Sequence, residues 1–96
     1  MKLIPKSSVT AEAIHWHSNT QYMEFMADLI TFFRNEGKTI HTIGLDDDGR
    51  GSLKFTLANL PAVFIVNPDN VVVIEGRRVR VLRHSDMLRN YTVVED

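Results

Sequence analysis

The pattern of residues predicts an α+β domain, an antiparallel β-sheet of hairpins packed against one long α-helix. Three observations lead there. Residues 22–33 carry an apolar stripe at helical spacing. Short alternating or β-branched runs are joined by turn clusters, the mark of hairpins. A parallel sheet needs a crossover for each strand pair, and only one crossover-sized helix is available.

The elements follow in chain order. Val9 to Trp16 alternates, with Val9, Ala11, Ala13 and His15 on one face and Thr10, Glu12, Ile14 and Trp16 on the other. Ser18-Asn19-Thr20-Gln21 ends this strand, and Ser18 with Gln21 fits a capping box. Tyr22, Phe25, Met26, Leu29, Ile30 and Phe33 form the stripe of the helix, which Gly37 stops. Thr39–Leu45 and Ser52–Ala58 are expected as a hairpin, joined by the turn Asp46-Asp47-Asp48-Gly49-Arg50-Gly51. Leu53, Phe55 and Leu57 share one face of its second strand. Asn59-Leu60-Pro61 reads as a break before a short strand, Val63–Val66. Asn67-Pro68-Asp69-Asn70 is a turn, and Val71–Ile74 and Val79–Leu82 form a second hairpin around Glu75-Gly76-Arg77-Arg78. His84–Arg89 is expected as one helical turn capped by Ser85, and Tyr91–Val94 as a last strand.

Composition narrows the function classes. The chain has 96 residues, read as a single domain over 1–96. A chain this short buries about 60–65% of its unfolded surface, enough for one core. A net charge of −1 argues against a generic DNA coater, which needs a strongly basic face. The absence of cysteine removes disulfides, thiolate nucleophiles and zinc–thiolate sites. No apolar run is long enough to span a membrane, and the first six residues are too short for a secretory segment. A cytoplasmic location is therefore expected.

Several motifs together resemble a family of small phage-encoded proteins. Ala11-Glu12-Ala13-Ile14-His15-Trp16 is similar to that family's "VEAIQW" opening. Pro68-Asp69-Asn70-Val71-Val72-Val73 stands at its Pro-Gly-Asp-Tyr signature, and Asp86-Met87-Leu88 followed by Tyr91 at its "PDIF-x-x-TY" ending. The likeness covers about residues 9–95. It departs at Asp69-Asn70 in place of Gly-Asp, at Val71 in place of the Tyr, and at Val81–Ser85 in place of "YPC-x-P". The resemblance implies a phage or prophage gene expressed in the cytoplasm of an infected bacterial host. It implies no reaction.

Five of the seven arginines lie in the last quarter of the chain: Arg77, Arg78, Arg80, Arg83 and Arg89. Guanidinium suits bidentate recognition of phosphate and carboxylate. The same cluster also serves to keep an exposed edge hairpin soluble. Trp16, between His15 and His17, suits stacking on a base, while its parity with Ile14 favours the core. His15-x-His17, joined by His41 or an aspartate of 46–48, offers ligands to a transition metal, but no metal motif of known spacing is present. The acidic turn lacks the EF-hand ligands, since Arg50 and Leu57 occupy its fifth and twelfth positions. No nucleophile elbow or Walker loop is present, and Glu12 as a base beside His15 or His17 is a pairing of carboxylate and imidazole common by chance, so no catalytic residue is assigned.

The resulting expectation is a non-catalytic binding protein. Its ligand is a small anionic, nucleotide-like molecule, such as a host immune signal that the protein sequesters. Arg77, Arg78, Arg80, Arg83, Trp16, His15 and His17 form the expected ligand set, with no cofactor and no metal. A homo-oligomer, most simply a dimer, is expected because subunit interfaces supply clefts that one short chain cannot enclose. Two alternatives stand beside it: an interaction module that inhibits a host enzyme, and a metal-dependent hydrolase.

Overall fold

A computed structural model describes residues 1–5, 10–46 and 51–94. Eight strands and two helices follow in the order β1 (Lys2–Pro5), β2 (Ala11–His15), α1 (Tyr22–Asn35), β3 (Ile40–Leu45) and β4 (Leu53–Leu57). β5 (Leu60–Val66), β6 (Asn70–Glu75), β7 (Arg78–Arg83), α2 (His84–Asn90) and β8 (Tyr91–Val94) complete the chain. The fold is α+β and its sheets are antiparallel, but there are two sheets where one was expected. The chain divides into two compact units, one from residues 1–15 and 69–96, the other from 16–68.

The first unit is a five-stranded sheet in the order β7-β6-β2-β1-β8. Strand β1 was not expected. It is four residues long, ends on a proline and has too few residues to show alternation. Its place comes from pairing, since it lies between β2 and β8 with Leu3 opposite Ala11 and Val93. Leu3, Ala11, Ala13, Val71, Val73, Met87 and Tyr91 make one buried cluster, with Met87 contributed by α2. Ala11 and Ala13 are poor strand formers, yet their small side chains fit a face crowded by Met87 and Tyr91. Removing a Leu, Val or Met side chain of this kind from water contributes roughly 1.5–3 kcal/mol. The β6–β7 hairpin closes through Gly76-Arg77, and Gly76 takes φ 61°, a conformation costly for a side chain with a Cβ. Helix α2 spans seven residues, and its N-cap is Arg83 rather than the expected Ser85.

The second unit sets α1 beside a meander ordered β3-β4-β5. Phe25, Leu29 and Phe33 are buried at four-residue spacing along the helix. Phe33 meets Phe55 of β4 with ring centroids 5.4 Å apart, and Phe55 stacks on Phe64 of β5 at 5.0 Å. Leu53, Phe55 and Leu57 are buried while Lys54 is exposed, as the alternation of β4 requires. The helix is shorter at its start than the capping-box reading implies. Its N-cap is Gln21, with no side-chain cap bond, and the preceding residues form a separate turn in which the backbone N–H of Thr20 donates to the carbonyl of His17 at 2.9 Å. At the other end Gly37, at φ 73°, completes a Schellman motif. Its N–H donates to Arg34 O at 3.0 Å and that of Lys38 donates to Phe33 O at 2.8 Å.

Strand β5 begins three residues earlier than expected and includes Pro61. A proline ends a central strand, but β5 is an edge strand, where one missing N–H is tolerated. Asn59, at φ 66°, makes the tight turn that lets Leu57 pair with Leu60. Val9 of the expected first strand and residues 47–50 of the acidic turn lie outside the described residues.

Candidate functional site

The polar side chains of the first unit gather at the two ends of the β6–β7 hairpin. At the turn end, Arg77 and Arg78 are exposed, and neither makes an ion pair with another described residue. Arg80 is different. It stands opposite Val73, and its Nη1 donates to the Tyr91 hydroxyl at 3.2 Å. That hydroxyl donates in turn to Glu75 Oε2 at 3.0 Å. Burial raises the phenol's pKa above 10.0, the Glu75 carboxylate raises it further, and Arg80 opposes both.

Arg83, at the far end of β7, donates from Nε to Asp86 Oδ2 at 3.2 Å. Arg89 also reaches Asp86, at 3.8 Å. Five steps of strand separate Arg78 from Arg83, a span of about 17 Å. The arginines therefore do not form one compact patch. Two stand open at the turn, one is held by a phenol, and two share an aspartate.

Beyond Arg83, three further side chains meet on one rim of the sheet. His15 is the last residue of β2, Asp69 precedes β6, and His84 opens α2. His15 Nε2 lies 2.8 Å from Asp69 Oδ1. The His15 and His84 rings stack with centroids 4.2 Å apart and planes 9° from parallel. One ligand atom from each of the three residues lies within 4.8 Å of the others. The His15 side chain is 11% exposed and that of Asp69 64%, so one edge of the cluster opens to solvent. Asp69 takes φ 74°, a left-handed conformation that Asp and Asn tolerate better than other side chains.

Sheet register explains the convergence. His15 pairs with Val71, two residues beyond Asp69, and Asn70 pairs with Arg83, the residue before His84. In sequence these positions are 54 and 15 residues apart, which matches no local motif. Asp69 reads as a turn residue and His84 as the start of a helical turn. Only pairing of β2 with β6, and of β6 with β7, brings them together.

The expected ligand set is thus divided. Trp16 is corrected to a core residue. It is 2% exposed, stacks on Phe25 at 5.0 Å and donates its indole N–H to Thr20 O at 2.9 Å. A ring enclosed in this way presents no face to a base. His17 is exposed and, like Trp16, belongs to the second unit. Of the expected histidines, His15 alone joins a polar cluster within the first unit. A depression of about 150 Å³ in the second unit is lined by Ile30, Arg34, Lys38, Thr39 and Ile40. It is smaller than the roughly 300–1,000 Å³ typical of ligand pockets.

The chain matches no known protein-family model, no curated protein and no solved structure. Among the described residues, no helix is long and apolar enough to cross a membrane.

Proposed function

We propose that this protein is a small binding module of phage type that captures an anionic, nucleotide-like ligand without catalysing its conversion. The observation that carries the reading is the open cationic turn of β6–β7. Arg77 and Arg78 are exposed on the edge hairpin of the sheet, and no described carboxylate neutralises them by an ion pair. Arg80 stands two residues along, oriented by Tyr91. Guanidinium groups so placed suit phosphate oxygens. Sequestration of a host immune signal accords with the resemblance to small phage proteins. A second copy of the chain, as a dimer, would add a second pair of arginines to a polyphosphate too large for one hairpin tip.

Calorimetric titration with a panel of linear and cyclic nucleotides tests this reading. A hydrogen bond to a charged group is worth roughly 1.5–3 kcal/mol, so Arg77→Ala with Arg78→Ala should weaken binding at least about tenfold. The melting temperature should hardly change, because both side chains are exposed. Unchanged affinity in the double variant would remove the hairpin from the site. Light scattering with and without nucleotide tests the dimer.

One observation favours a second reading, a protein-interaction module. Edge strand β5 exposes Val63 at 61% and Ile65 at 46% on the same face. An edge of this kind is suited to pairing with a partner's strand. Val63→Lys should abolish capture of such a partner and leave nucleotide binding unchanged.

A further inference from the structure

We propose that His15, Asp69 and His84 form a binding site for one divalent transition-metal ion of the zinc class. The inference is independent of the nucleotide reading and uses none of the hairpin arginines. It rests on donor type, on convergence and on access.

The donors are two imidazoles and one carboxylate. That set suits Zn²⁺, Co²⁺ or Ni²⁺, whereas Ca²⁺ and Mg²⁺ prefer all-oxygen shells. Three protein ligands also leave a coordination position for water or an exogenous anion, as in open zinc sites. The three residues come from separate segments that the sheet holds in register, so their backbones need no folding around an ion. His15 Nε2 and Asp69 Oδ1 are already 2.8 Å apart, and the three ligand atoms lie within 4.8 Å of one another. Donors around a tetrahedral Zn²⁺, at about 2.0–2.2 Å from the ion, stand about 3.4 Å from each other. The required closure is thus on the order of 1.5 Å, within reach of side-chain rotation.

The ring stack defines which group moves. Lone pairs of imidazole lie in the ring plane, and two rings 9° from parallel aim theirs side by side rather than at one point. One ring must turn to share an ion. His15 is packed, with its side chain 11% exposed, and already faces Asp69. His84, half-buried at the first position of a seven-residue helix, is the ring that turns. Metal binding accordingly breaks the His15–His84 stack and replaces the His15–Asp69 hydrogen bond by two bonds to the ion, the Nε2 proton leaving to solvent or the ring taking its Nδ1–H tautomer.

The test is titration of the full chain with Zn²⁺, and with Co²⁺ read by its visible absorption. One ion per chain is expected, with a rise in melting temperature as Zn²⁺ increases and no competition from excess Mg²⁺ or Ca²⁺. His84→Ala, at a half-buried position, and Asp69→Asn, at an exposed one, should fold. Asn also retains the left-handed backbone of Asp69. Each should weaken Zn²⁺ binding by at least the roughly 10–100-fold that losing an outer-shell partner costs. His15→Ala should abolish it, with circular dichroism confirming the fold. Failure to bind Zn²⁺ at micromolar concentration would overturn the proposal. So would binding that survives His84→Ala and Asp69→Asn, or that is lost instead in His17→Ala or His41→Ala.

Discussion

Replacing Tyr91 with Phe removes a single oxygen, but that oxygen links two charged groups across the first unit's core face. The Tyr91 ring is 5% exposed and belongs to the apolar cluster under α2, so the phenyl ring should keep its packing. What is lost is the hydrogen bond to Glu75 Oε2 at 3.0 Å and that from Arg80 Nη1 at 3.2 Å. Bonds to charged groups are worth roughly 1.5–3 kcal/mol each where water cannot replace them. Glu75 and Arg80 are half-buried, so water recovers part of that loss. A net cost of about 1–2 kcal/mol is expected, measured by urea unfolding followed by far-ultraviolet circular dichroism at neutral pH. The same residue makes a second, independent demand. The folded phenol's pKa is raised above 10.0, so between the unfolded and folded values the native state holds a proton that the unfolded state releases. Stability should therefore be constant below the unfolded value and fall as pH rises through the folded one. Every other group is common to both proteins, so the difference between wild type and Tyr91→Phe isolates this one. The wild-type advantage should shrink in that alkaline window. Equal stability at neutral pH, or parallel pH curves through the window, would refute the network as described.

Three more outcomes follow from the packing. Phe33→Ala opens a cavity at the fully buried centre of the second unit, where the ring meets Phe55, and should cost about 3–5 kcal/mol in urea unfolding monitored by Trp16 fluorescence. Met87→Ala should cost about 2–5 kcal/mol through the first unit, because Met87 is the side chain by which α2 enters the core. Gly37→Ala should cost about 1–2 kcal/mol in thermal unfolding; the added Cβ meets nothing within 4 Å, so the whole cost is the φ of 73°.

Local pattern was enough to place most elements of this protein. The stripe on α1 is legible because Phe25, Leu29 and Phe33 recur at the period of a helix and all three are buried. The alternation of β4 is legible because its two faces meet different environments, and the stop at Gly37 because few residues other than Gly accept its φ of 73°. These features depend on neighbours within one or two turns of chain. Strand β1 left no such trace. Four residues are too few to display a period, and its stability comes from partners at residues 11–12 and 91–94. Pro61 misled for a related reason, since a proline breaks a strand or sits harmlessly on one according to whether that strand lies at an edge. The division into two sheets has the same origin. The segment 16–68 closes on itself, while β2 passes over it in sequence to pair with β6. The polar clusters depend most on these long-range pairings. The arginine-rich run was visible at a glance, but whether each guanidinium stands open or is held by Tyr91 or Asp86 is a matter of side-chain neighbours. His15, Asp69 and His84 carry no shared signal in the chain, because a sheet register joins residues by the hydrogen bonds of strands rather than by their distance in sequence.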